Sequence, residues 1–129
     1  MALDIYLMGI CGTGMGALAG MLKAAGHKVR GSDEHVYPPM SDKLKEWGIE
    51  VLTGYAKEHL QPHPDLVVVG NVIRAQNPEA VYARLHAIKA LSMPQAVAEF
   101  GIQNKHALVV CGTHGKTTVT ALAAHVLLH

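Results

Sequence analysis

The stretch Ile5-Tyr6-Leu7-Met8-Gly9-Ile10-Cys11-Gly12-Thr13-Gly14-Met15-Gly16-Ala17 decides the fold. Four apolar residues read as a strand, a glycine-rich turn follows, and residues 17–25, rich in Ala and Leu, read as a helix. Gly12, Gly14 and Ala17 match the G-x-G-x-x-G/A spacing of a phosphate-binding turn. In that pattern Gly12 supplies a tight turn with φ > 0. Gly14 lets a pyrophosphate approach the backbone, and Ala17 lets the helix pack close to the strand. The helix N-terminus then offers unpaired N–H groups and a partial positive charge to an anion. Asp33 closes a second strand-like run, residues 27–33, close to the ~20 residues beyond the turn where a ribose-binding acid is expected. A glycine turn used only for close packing is the bland alternative.

Outward from that turn, strand and helix signals alternate. Pro38 and Pro39 hold off a helix until Ser41, a good N-cap for residues 42–47, and Gly48 stops it. Residues 49–52 read as a third strand, Gly54-Tyr55 as a turn, and residues 57–60 as a single helical turn. Residues 65–69, Asp-Leu-Val-Val-Val, are the continuous β-branched run of a strand buried on both faces. Asn77-Pro78 opens a helix over residues 79–86, residues 88–91 form a fifth strand, and Ser92 caps a helix over 94–100 that Gly101 ends. Residues 106–111 are a sixth apolar run, and residues 116–128 a last helix. The alternation implies an α/β chain: a Rossmann-like parallel sheet with helices on both faces. The polar link 101–105 is the plausible boundary, dividing the chain into 1–101 and 102–129.

The 129 residues suit about one domain, and with 50% hydrophobic residues the chain can build a core. Lys plus Arg is 11 against 10 for Asp plus Glu, so there is no electrostatic footprint for nucleic acid or an anionic membrane. Cys11 and Cys111 read as free thiols of a reducing cytoplasm. No leader peptide and no apolar run of spanning length is expected, and the nine histidines are scattered without metal-ligand spacing.

A second phosphate loop, Gly112-Thr113-His114-Gly115-Lys116-Thr117-Thr118, follows the sixth apolar run and opens the last helix. Gly115-Lys116-Thr117 is the working end of a P-loop: backbone N–H groups cradle phosphate oxygens, Lys116 neutralises their charge, and the Thr117 hydroxyl reaches Mg²⁺. The strict pattern wants a glycine where Val110 stands, so Gly112 serves a shorter variant. A nicotinamide-binding oxidoreductase or a regulatory nucleotide-binding module would use Gly12, Gly14, Ala17 and Asp33 equally well, but would leave this second loop idle. Two phosphate loops suit one site for a nucleotide-linked substrate and another for ATP.

Taken together, residues 9–16, Gly31-Ser32-Asp33, Asn77-Pro78-Glu79 and residues 112–118 resemble the amino-terminal part of the Mur ligases, the ATP-dependent amide-bond-forming family of bacterial cell-wall synthesis. The resemblance implies that UDP-N-acetylmuramate lies on Gly12, Thr13, Gly14, Met15 and Gly16, with Asp33 near its nucleoside end and Asn71 flanking the sugar. It implies ATP on Gly112, Thr113, Gly115, Lys116, Thr117 and Thr118, Mg²⁺ at Thr117, and Lys116 and His114 as catalytic residues. The reaction would be phosphorylation of the muramoyl carboxylate, then attack of an amine on the acyl phosphate. Residues 36–41 and 70–73 look more like the branch that attaches a recycled L-Ala-γ-D-Glu-meso-diaminopimelate tripeptide than the branch that attaches L-alanine. Against the family's length, the expectation is a cytoplasmic substrate domain at 1–101 and the start of a truncated ATPase domain at 102–129. Such a piece would be inactive alone, with the peptide substrate bound by missing domains, and prone to self-association through the apolar tail helix.

Overall fold

The computed structural model describes residues 2–102. The second phosphate loop (Gly112, Thr113, His114, Gly115, Lys116, Thr117 and Thr118), Cys111, the sixth strand and the tail helix lie outside the described residues. Five strands, β1 (Asp4–Met8), β2 (Lys28–Asp33), β3 (Glu50–Thr53), β4 (Leu66–Val69) and β5 (Ala90–Ser92), form one parallel sheet in the order β3-β2-β1-β4-β5. Between them run α1 (Thr13–Ala24), α2 (Met40–Glu46), a 3-10 turn (Lys57–Leu60) and α3 (Pro78–Leu85). After β5 comes α4 (Met93–Ala96), continued by a π turn (Val97–Ile102).

β1 is the central strand, and Ile5, Tyr6, Leu7 and Met8 are all 0% exposed. Alternate residues of a strand face opposite sides. Ile5 and Leu7 pack with Val29, Leu66 and Val68 against α1, α2 and α4. Tyr6 and Met8 pack with Val67 against Leu60 of the 3-10 turn and against α3. Helices on both faces explain why these strands are nearly continuous in apolar residues.

The sheet, the 3-10 turn and the Asn77 and Ser92 caps agree with the sequence reading. The Asn77 side chain accepts from Glu79 N, and Ser92 forms a capping box with Gln95. The helix after β5 runs on through Gly101 as a π turn to Ile102 rather than stopping at Gly101, and three further details differ. α1 starts at Thr13, so half of the glycine stretch is already helical. α2 starts at Met40, and Ser41 lies inside it, donating its N–H to Tyr37 O at 3.3 Å. Pro39 takes the cap position, where a proline's missing N–H costs nothing. β5 begins at Ala90 because the chain is still turning before it: Ala87 has φ 52° and Ile88 N donates back to Ala83 O.

Strand spacing around β1 depends on glycine. A Cβ on Gly31 would run into Leu7 O, and one on Gly70 would lie 2.8 Å from Met8 O. Gly31→Ala is therefore expected to destabilise the fold by about 3 kcal/mol or more, as overpacking against a backbone that cannot retreat. Gly26→Ala has open space but a φ of +96°, and should cost only about 1–2 kcal/mol. Urea unfolding midpoints of the two variants check the contrast.

Candidate functional site

The chain order places β2 and β3 on one side of β1 and β4 and β5 on the other. The connections leaving β1 and β4 therefore part company and open a crevice at the carboxyl ends of the strands, where open α/β sheets bind ligands. The glycine loop after β1, Asp33 at the end of β2 and Asn71 after β4 all come to this edge.

Within the loop the left-handed residue is Gly9, φ +81°, not Gly12, whose φ is −65°. The sharp turn comes immediately after the strand, where Gly9 N and Ile10 N both donate to Ser32 O, at 2.8 and 3.0 Å. One further assignment for the loop changes. Ala17 is exposed rather than packed on the sheet. Close approach occurs at Gly16 and Gly20, where an added Cβ would meet Met40 and Trp47. At Gly14 the space a Cβ would fill is taken by the end of the Met93 side chain, 2.7 Å away. Gly12, Thr13 and Gly14 are exposed, whereas Met15 and Gly16 are buried.

Asp33 braces this loop. Its Oδ2 accepts from Cys11 N at 2.9 Å and its Oδ1 from His35 N at 3.0 Å. Burial, helped by the Asp33 charge, pushes the Cys11 thiol pKa up, so the thiol stays protonated at neutral pH. The N-terminus of α1 carries no side-chain cap, in contrast to the capped α3 and α4. Its first-turn amides, Thr13, Gly14 and Met15, are the donors a helix leaves without internal partners.

Beside the loop lies a cavity of about 690 Å³, walled by Glu34, Tyr55, Ile73, Arg74, Gln76 and Asn77. It adjoins the loop through Val72 and Ile73, whose side chains come within 3.8 Å of a Cβ built on Gly9. Glu34, Tyr55, Arg74 and Gln76 escaped the motif reading. The signal was topological: Glu34 directly follows β2, Tyr55 sits in the turn after β3, and Arg74 and Gln76 lie in the connection after β4.

Under this edge sits a buried carboxylate. Glu79, 0% exposed, accepts from Tyr6 Oη at 2.8 Å, Ser32 Oγ at 2.6 Å and Ala56 N at 3.3 Å, and pairs with His59 Nδ1 at 2.8 Å. One side chain thus joins β1, β2, the segment after Tyr55 and the start of α3. Among the described residues no buried side-chain polar atom lacks a partner, and no cluster of three or more His, Cys, Asp or Glu is arranged to hold a metal.

The family model for the Mur ligase family, catalytic domain, matches residues 4–105. This chain belongs to the Mur ligase family. Among characterised Mur ligases, it is 46% identical over 125 residues to the UDP-N-acetylmuramate–L-alanyl-γ-D-glutamyl-meso-2,6-diaminoheptandioate ligase of Escherichia coli. That alignment covers 95% of this chain and 27% of the relative. The UDP-N-acetylmuramate–L-alanine ligase of Clostridium acetobutylicum is 37% identical, again over 96% of this chain and 27% of the relative. The crystal structure of a murein peptide ligase from Psychrobacter arcticus superposes with a TM-score of 0.91 at 45% identity, covering 95% of this chain and 26% of that one. The chain thus spans about a quarter of the length of the relatives it matches. Among the described residues no helix is long and apolar enough to cross a membrane.

The buried network gives this Mur ligase chain an alkaline weakness. Burial, with the Glu79 charge adding to it, raises the Tyr6 pKa far above its ordinary 10.0. Above about pH 10 the unfolded chain releases the Tyr6 proton while the folded chain keeps it, so the native state binds more protons and stability falls as pH rises. The slope for this one group is about 1.4 kcal/mol per pH unit. Tyr55 and Cys11, also shifted upward, act in the same direction. Urea melts from about pH 8 to 11 should show the decline. Tyr6→Phe should begin about 1–2 kcal/mol less stable and decline less steeply.

Proposed function

We propose that residues 1–101 form the UDP-N-acetylmuramate-binding domain of an ATP-dependent ligase, and that residues 102–129 begin its ATPase domain. The ligase would join UDP-N-acetylmuramate to L-Ala-γ-D-Glu-meso-diaminopimelate in peptidoglycan recycling, a cytoplasmic reaction since it consumes a UDP-sugar and ATP. The observation that carries this reading is the uncapped N-terminus of α1, opening at the sheet's switch point beside a ligand-sized cavity. The stronger identity to the tripeptide-adding relative than to the alanine-adding one supports the choice of amine.

On this reading the diphosphate lies on Gly12, Thr13 and Gly14 and the backbone of Met15 and Gly16, with Asn71 on the sugar side. Asp33 keeps the loop in shape, since both of its oxygens already accept backbone N–H groups. In the second loop Gly112, Thr113, Gly115, Lys116, Thr117 and Thr118 would receive ATP. Lys116 would neutralise phosphate charge, and His114 would lie between ATP and the muramoyl carboxylate. Thr117 would hold Mg²⁺, which supplies further charge neutralisation. The protein's contribution is positioning and charge stabilisation: it aligns the carboxylate with the phosphate it accepts and holds the acyl phosphate for the incoming amine.

Thermal unfolding with UDP-N-acetylmuramate, NADH and Mg-ATP in parallel tests the reading. At 100 times its dissociation constant the UDP-sugar should add roughly 2.7 kcal/mol of stability; stabilisation by NADH alone would overturn the proposal. Thr13→Asp should separate fold from ligand. A carboxylate in the first turn of α1 stabilises the free protein by about 0.3–1 kcal/mol and repels the diphosphate, so the melting temperature rises while the UDP-sugar shift shrinks.

A further inference from the structure

Methionine grips the first turn of α1 from two sides. Met40, the first residue of α2, lays its thioether where a Gly16 Cβ would stand. Met93, the first residue of α4, lays its sulfur and methyl where a Gly14 Cβ would stand. Between them Gly16 N donates to Gly12 O at 2.7 Å, closing the turn that presents the Thr13, Gly14 and Met15 amides. An unbranched thioether fills such irregular gaps well. It is also open to oxygen-atom transfer, which turns the side chain polar. The methionines differ in access. Met8 and Met15 are shut inside the core. Met40 and Met93 are half-buried: one side of each packs against the cluster that holds Leu7 and Leu18, and the other is within reach of a small solute. Met21 is exposed as well, but its side chain lies against Gly101, away from the glycine loop.

We propose that Met40 and Met93 form a peroxide-sensitive modification site that controls the diphosphate loop. The proposal rests on the reading of that loop as the seat of the UDP-sugar's diphosphate and adds a means of regulating it. In the modification a sulfur lone pair takes one oxygen atom from hydrogen peroxide. The O–O bond breaks, an S–O bond forms and water leaves; the thioether is oxidised by two electrons to the sulfoxide, and the peroxide is reduced. The Met40 sulfur and the Met93 methyl leave no room even for a Cβ on the glycines they touch. An added oxygen, or the outward swing that makes room for it, therefore removes the wall behind Gly14 and Gly16. A polar sulfoxide is also a poor neighbour for the apolar cluster. The first turn then samples looser forms, and affinity falls with the fraction of molecules that keep the amides in place.

The 129-residue chain is treated with hydrogen peroxide, mapped by peptide mass spectrometry, and titrated by calorimetry with UDP-N-acetylmuramate before and after repair by methionine sulfoxide reductases A and B. Oxygen should be gained at Met40, Met93 and Met21, with Met8 and Met15 unmodified. The Kd should rise about tenfold, as when about a tenth of the molecules hold the competent turn, and the reductases should restore it. Met40→Leu/Met93→Leu, which keeps Cys11 and Met21, should show one Kd before and after peroxide. Met21→Leu should remain as sensitive as the wild type. A wild type that keeps its affinity once both residues are oxidised overturns the proposal and leaves the UDP-sugar reading standing. So does a chain in which Met21 alone is oxidised, or a double variant that loses as much affinity to peroxide as the wild type. An untreated wild type that does not bind the UDP-sugar at millimolar concentration overturns the parent reading and this site with it.

Discussion

Backbone-to-backbone proximity at the central strand is the constraint on which the rest depends. β1 pairs with β2 on one side and β4 on the other, and on each side a glycine faces a β1 carbonyl at a distance that no side chain tolerates: Gly31 against Leu7 O and Gly70 against Met8 O. Both contacts sit at the carboxyl end of the strand, where the crevice opens. The glycines thus draw three strand ends together, so that the loop after β1, the acid ending β2 and the turn after β4 converge.

The core and the site's bracing grow from the same strand. Leu7 points into the α1 side of the sheet, and Tyr6 beside it points to Glu79. The carboxylate's partners come from β1, β2, the 3-10 turn and the segment after Tyr55, and each would be left short of a hydrogen bond without it. Buried polar groups are costly unless satisfied. This cluster therefore selects one arrangement of the walls around the cavity, in addition to whatever stability it contributes.

The sheet was legible in the sequence because its signals are local: apolar runs of strand length, prolines and cap residues at their ends, and a glycine turn between the first strand and helix. The cavity walls and the Glu79 cluster were not. Tyr6 and Glu79 are 73 positions apart, Ser32 and Glu79 are 47 apart, and nothing in a run of neighbours announces such a meeting. The glycine motif was recognised, but its left-handed turn falls at Gly9 rather than Gly12, and Ala17 is exposed rather than packed. Spacing rules say that a turn exists, whereas the positive φ at Gly9 and the filling of Gly14 by Met93 depend on where Ser32 O and α4 lie in space. Asp33 matched its expected position at the end of β2, and its hydrogen bonds to Cys11 N and His35 N were not legible there, because an acid at a strand end can also serve a nearby backbone N–H.

Met93 gives the glycine loop a mechanical connection. Its methyl group rests on Gly14, and its backbone begins α4, the helix that follows β5. Any displacement of the first turn of α1 toward α4 would therefore meet that side chain first.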